Sequence, residues 1–460
     1  MSKYTRNRVE KPNSNNSKVS SRKTNPECVN LKMSLTMAAF DEKSGALWIV
    51  ASQGVLLLIN FLLLKLLTSH LSIGQFGYYS LCMTIVLFLR QVLYDPISIV
   101  VAKNVGSAVC DLQQVSDGFL IVRFVTDLLG VALLLLGFLS WLWGYAGINN
   151  TIEGAVAWSC FFYLCANGAQ GIYFNVLNII SDRRSAALFS ILDSVLKLAL
   201  VSLVLVLFKS EVVYTLMSIS TGAFMVFLLV RFHIGNCYTS GKLPMNRLIV
   251  MAKQSLIMSK TLYLPILLVA FKSVGDRWIL TAFTGVDELA AYSVLLQIGY
   301  FPMVLFIGVV QGFVGPKIYS LSAIESETGF KELKRLVHKL LFGIFIFACI
   351  AIGIAIVLSD WIMQVFSGKD YLIFSAYLPL FIVSGALAAA AGILHVGVIG
   401  VYKTSVVGRL MISAVLISIA STSLLVITWG LVGAIAGLVI ANTASALIYW
   451  LALYRKSSRA

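Results

Sequence analysis

The sequence is short of charge. Only 12% of its 460 residues are Asp, Glu, Lys or Arg, about half the share of a soluble domain. Length alone suggests roughly three soluble domains at ~150 residues each, but so few charges could not cover three soluble surfaces. Acids are scarcer still, 20 against 35 Lys and Arg. The four histidines (His70, His233, His338, His395) are scattered, with no HExxH. The seven cysteines form no CxxC pair, which argues against a metal site or a disulfide framework. They read as small buried hydrophobes. A Walker A glycine loop, a GxSxG elbow and a DxD-type cluster are all missing, and internal loops of at most about 22 residues leave no room for an ATPase or glycosyltransferase domain. The expectation is a protein with no catalytic residues, no metal and no cofactor, and therefore not an enzyme.

What the chain has in excess is apolar sequence: 59% of residues are hydrophobic and the mean hydropathy is +0.90. A membrane-spanning helix needs ~20 mostly apolar residues. Apolar runs fall at 45–69, 76–101, 118–143, 155–180, 185–208 and 211–231, then at 254–282, 288–314, 337–359, 373–400, 404–428 and 431–454. This predicts an all-α integral membrane protein of about twelve transmembrane helices. The expected organisation is a disordered basic cytoplasmic tail at 1–44, a six-helix lobe at 45–231, a cytoplasmic linker at 232–253, a second six-helix lobe at 254–454, and a short cytoplasmic tail at 455–460.

The net charge of +15 fits that topology better than a nucleic-acid partner, because cytoplasmic loops accumulate Lys and Arg. With both termini inside, 26 of the 35 cations fall in cytoplasmic segments and only Lys209 and Lys369 fall outside. A miscounted helix would scramble this alternation. The halves also resemble each other: Leu67-Thr68…Tyr79-Ser80 aligns with Leu280-Thr281…Tyr292-Ser293 at an offset of 213 residues. Six helices is an even number, so both repeats insert the same way round, giving two lobes about an axis along the membrane normal and a cavity between them.

Seven cations remain inside the apolar runs: Lys65, Arg90, Arg123, Lys197, Lys260, Lys272 and Arg277. Asp95, Asp127, Asp193 and Asp276 accompany them. A charge at the bilayer centre costs at least ~2.5–3.5 kcal/mol, so such residues normally face a partner or a cavity. Lys65 and Lys260 lie near helix ends and either snorkel or line the cavity. Arg123 with Asp127, and Asp193 with Lys197, have the i,i+4 spacing of internal ion pairs. Arg90 sits in the middle of helix two, shortly before Asp95-Pro96, and its guanidinium matches phosphate in a bidentate fork. Lys272, Asp276 and Arg277 share helix seven, with Lys272 and Asp276 on one face and Arg277 about 100° away. Helix eight adds Gln297, Tyr300, Pro302 and Gln311. An acid-lined pocket would suit a drug cation; the excess of cations here suits an anionic, lipid-linked substrate.

The stretch LTSHLSIGQFGYYSL at 67–81, the run GDRWILTAFTGVDELAAYSVLLQI at 275–298, FVGPKIYSL at 313–321 and the twelve-helix pattern resemble the polysaccharide-exporter (O-antigen-type) flippases of the multidrug/oligosaccharidyl-lipid/polysaccharide flippase superfamily. The resemblance implies an inner-membrane protein that moves undecaprenyl-pyrophosphate-linked repeat units outward by alternating access, with proton or sodium coupling and association with polysaccharide polymerase machinery. On that reading Arg90, Lys272, Arg277 and Lys65 contact the substrate, and Asp95 or Asp276 carries the coupling ion. A drug antiporter of the same fold and a membrane-embedded polymerase are the alternatives, and the short outer loops speak against the second.

Overall fold

A bilayer offers no partners to backbone N–H and C=O groups, so a chain that crosses it repeatedly satisfies them within helices. The computed structural model describes residues 48, 51–107, 112–146, 151–180, 182–208, 211–238, 244–305, 327–402 and 404–455, and no strand occurs among them. The basic stretch 1–44, the 313–321 motif, Gln311 and residues 456–460 lie outside the described residues.

The first half comprises α1 (Ala51–His70), α2 (Ile73–Ser107), α3 (Leu112–Ala146), α4 (Thr151–Ile179), α5 (Arg183–Leu207) and α6 (Val212–Tyr238). The second comprises α7 (Met245–Thr284), α8 (Val286–Leu305), α9 (Glu327–Phe366) and α10 (Leu378–Val401). A long final stretch, Thr404–Arg455, is broken at Gly430 into α11 (404–429) and α12 (431–455). Twelve helices result among the described residues, the number that the hydropathy predicts. α6 runs on to Tyr238 and α7 begins at Met245, so both ends of the segment read as a 232–253 linker are helical. Backbone hydrogen bonding continues beyond the point where the apolar run stops.

Two of the helices that depart from a plain apolar rod, α4 and α7, do so for a physical reason legible in their residues. α4 falls short of the hydropathy that marks the other spans, because it carries Asn167, Gln170, Asn175 and Asn178. It packs against α2, α3 and α6, which shield it from lipid. α7 bends by 60° between Leu248–Lys260 and Leu262–Thr284. Pro265 lies four residues beyond the break; it has no N–H to give to the Thr261 carbonyl, and its ring crowds that oxygen.

Within the first half α4 packs on α2, α3 and α6, and α5 on α6. Within the second, α10 packs on α9 and on the α11–α12 stretch, which also packs on α7. Between the halves α2 lies against α7 and α8. At this junction the Ser80 and Ser293 hydroxyls are hydrogen-bonded at 2.6 Å. They are repeat mates, 213 residues apart, and equivalent residues of two halves touch only where the symmetry axis passes between them.

The α11–α12 hairpin depends on glycine. Gly430 has φ +55° and ψ −129°, a conformation closed to residues with a Cβ. On the returning arm, a Cβ at Gly433 would collide with the Leu425 carbonyl, and one at Gly437 would lie 2.8 Å from the Thr422 Cα. We expect Gly433→Ile to abolish folded protein, read as loss of a monodisperse peak on size exclusion in detergent. Gly408→Ala, in open space on the same hairpin, should leave that peak intact.

Candidate functional site

Part of the interior charge of α2 and α7, and the Asp193–Lys197 pair of α5, meets at one cavity of about 600 Å³ enclosed by α1, α2, α4, α5, α6, α7 and α8. Its charged lining residues are Arg90, Asp193, Lys197 and Arg277, among leucines and the carboxamides of Gln53, Asn60, Asn167 and Gln297. Arg90 donates through Nη1 to Asn167 Oδ1 at 3.2 Å, and its buried Nε has no protein partner among the described residues. Arg277 enters from the opposite half, its guanidinium 5.8 Å from the Phe301 ring centroid. Its buried Nε is likewise unpartnered. Lys197 donates to Asp193 at 2.5 Å and lies 5.2 Å from the Tyr163 ring centroid. This i,i+4 pair neutralises itself on the cavity wall, so the two arginines give the wall its net positive charge.

α8 changes its winding here. Leu296–Tyr300 form a π-turn, a widened turn that recurs at functional sites, and Gln297 within it lines the cavity. Asp276 faces away from the cavity wall: it accepts the Tyr292 hydroxyl at 2.5 Å and the Arg277 backbone N–H at 2.9 Å.

Three expectations change. Asp127 pairs with Arg231 of α6 rather than with Arg123, through two parallel N–H···O contacts, the Nη2–Oδ2 one at 2.9 Å. A guanidinium facing the carboxylate from a neighbouring helix achieves this bidentate geometry. Lys272 is not on the cavity wall; five residues from Arg277 it projects from another side of α7 and donates to Ser445 Oγ of α12 at 2.7 Å. Lys65 is also off the wall, donating to the Gln364 carbonyl at 2.6 Å and to the Ser367 carbonyl. The last carbonyls of a helix have no intrahelical donors and carry the negative end of its dipole, and the end of α9 supplies them here. Asn60 and Asn167 were not anticipated. The weak hydropathy of α4, with carboxamides clustered on one side, is the signal that points to Asn167.

Sequence comparison finds no matching family model and no matching curated protein. Solved structures do match. An inward-facing multidrug resistance MATE family transporter of the MOP superfamily aligns with TM-score 0.64 and 15% identity, over 90% of this chain and 98% of that one. An outward-facing structure so described gives 0.62 and 15%, over 90% and 96%. A variant of the Vibrio cholerae MATE transporter VcmN gives 0.61 and 16%, over 91% and 98%. The fold is that of the MATE transporters.

In this MATE-type fold one end of the cavity is sealed where the α1–α2 junction meets the α9–α10 junction. Phe61 and Phe366 have ring centroids 4.7 Å apart, Phe76 meets Tyr371 edge-on at 6.1 Å, and Gly368 lies against the Thr68 carbonyl so closely that a Cβ would not fit. The Lys65 contacts complete the seal. A hydrogen bond from a charged group contributes about 1.5–3 kcal/mol. We therefore expect Lys65→Met, which keeps the apolar stem, to raise thiol labelling of a Ser293→Cys reporter from that end about tenfold. Unchanged labelling would show that the aromatic contacts alone hold the seal.

Proposed function

We propose that this protein moves an anionic, lipid-linked oligosaccharide across the cytoplasmic membrane by alternating access, without covalent chemistry. Undecaprenyl-pyrophosphate-linked repeat units for surface polysaccharide such as O-antigen or capsule are the substrate this reading names. The observation that carries it is the pair of guanidiniums, Arg90 and Arg277, that face one cavity from opposite halves, each with a buried Nε unpartnered among the described residues. A buried donor without an acceptor costs about 1–3 kcal/mol. Two planar forks aimed at one space favour a phosphate-bearing ligand. Asp193, the one acid on the wall among the described residues, is paired through Oδ2 with Lys197, so its charge is already balanced before a cationic drug arrives.

On this reading both termini are cytoplasmic, as the distribution of Lys and Arg favours, and the sealed end faces outward. Arg90 and Arg277 bind phosphate. Lys65 and Lys272 lie off the cavity wall; Lys65 ties the first half to the second, and Lys272 ties α7 to α12 within the second. Proton or sodium coupling runs through Asp276, poised by Tyr292, or Asp95. A polysaccharide polymerase is the natural recipient of the product.

A second reading comes from the structural relatives, two of which are described as multidrug resistance transporters. Proteoliposome assays separate the two. We expect wild-type protein to flip a polyprenyl-pyrophosphate-linked glycan, and Arg90→Ala to slow flipping about 10- to 100-fold, the equivalent of a lost charged hydrogen-bond pair. Arg90→Lys should recover part of the rate. Extrusion of a cationic dye with no movement of the lipid-linked glycan would replace this proposal with the drug-antiporter reading.

A further inference from the structure

Arg90 borders a second cavity as well as the first. The second, of about 350 Å³, lies between α2 and α4, within the range of small-ligand sites, about 300–1,000 Å³. Its chemistry differs from that of the leucine-rich main cavity. Tyr94, Asp95 and Ser98 of α2 face Asn175 and Asn178 of α4. Asn175 Nδ2 donates to Ser98 Oγ at 2.9 Å. Tyr94 is 1% exposed, yet its hydroxyl has no protein partner among the described residues. Its ring lies against Gly168, leaving no room for a Cβ there. Gly171 does the opposite: a Cβ built on it meets nothing within 4 Å, so it opens space.

On α4 the polar residues follow a pattern. Asn167, Gly171, Asn175 and Asn178 fall within an arc of about 80° at 100° per residue, so one helix face carries three carboxamides around a glycine. That face also accounts for the weak hydropathy of α4.

These groups select a ligand class. A free phosphate dianion in the second cavity would be repelled by Asp95. An apolar chain would leave the Tyr94 hydroxyl unpaired and cover the exposed Asn178 carboxamide. Carboxamides, hydroxyls and a carboxylate together offer both donors and acceptors, which is what a polyhydroxylated, uncharged ligand needs, since each of its hydroxyls can both donate and accept. We infer that the cavity between α2 and α4 is a sugar-binding site, which holds the glycan of the substrate while Arg90, at the junction of the two cavities, contacts the phosphate beside it. This rests on the lipid-linked oligosaccharide reading above and adds to it a separate place for the glycan.

Gly171→Leu tests the site, because the added side chain projects into open space and fills the cavity without a clash at its Cβ. The probe for binding is oligosaccharide released by mild acid from the source cells' own polyprenyl-linked pool, titrated into full-length protein in detergent. The probe for transport is polyprenyl pyrophosphate bearing no sugar, in proteoliposomes. We expect wild-type protein to bind the free oligosaccharide and Gly171→Leu to weaken binding about tenfold or more, the equivalent of one buried hydrogen bond. Flipping of the sugarless lipid should stay within about twofold of wild type, which also shows that the variant is folded. The double variant Asn175→Ala, Asn178→Ala should weaken binding without filling the space. Equal oligosaccharide binding by wild type and Gly171→Leu, or no binding by either, would overturn the inference. The flippase reading fails separately, if wild-type protein moves no polyprenyl pyrophosphate lipid, with or without sugar.

Discussion

A cation inside an apolar slab must find an electron-rich partner, and most of this structure can be read as the set of answers to that demand. Lys197 takes a carboxylate one turn away on its own helix. Arg231 takes one from a neighbouring helix. Lys65 takes backbone carbonyls at the end of α9, and Lys272 takes a serine hydroxyl on α12. The last three of these each tie two elements together, so the partners chosen by these cations help to fix which helices lie side by side. Arg90 and Arg277 are the exceptions. Each retains an unpartnered Nε, and both face the same cavity. Among the described residues, Arg90 and Arg277 are the cations of the cavity wall that keep a buried donor free.

The fold was largely legible in the sequence, because the bilayer reduces folding to a repeated local problem. Each apolar run of the right length becomes a helix, and the alternation of Lys and Arg checks the count. Even the α11–α12 reversal shows, as the gap between the apolar runs 404–428 and 431–454 in which Gly430 stands. The internal repeat was legible too: the alignment that pairs Tyr79-Ser80 with Tyr292-Ser293 brings together two serines that touch in three dimensions.

The site was legible only in part, for a reason that follows from the same physics. Sequence spacing reports which residues share a face of one helix, so Asp193 and Lys197 could be paired on paper. It does not report what a neighbouring helix presents. Asp127 therefore went to Arg231 rather than to Arg123, and Lys272 and Lys65 found partners 173 and 299 residues away. The carboxamide face of α4 was not anticipated, because nothing in the chain order shows that a glycine among its asparagines leaves space. Asn167 and Asn175 are visible as unusual residues; their grouping around Arg90 needs the packing of α4 on α2.

The contact between Ser80 and Ser293 has a mechanical property that the contacts of the sealed end do not share. A contact across a two-fold axis registers any symmetric displacement twice, once from each side. With the oxygens 2.6 Å apart, a shift of about 0.5 Å by each half takes them beyond hydrogen-bond range. The Lys65 ammonium sits at the tip of a long, rotatable stem and can follow receding carbonyls much further. The boundary between the halves thus combines a short-range contact, sensitive to the smallest separation, with a tether that yields gradually. Parting of the halves would begin as a snap at the axis and continue as a stretch at the periphery.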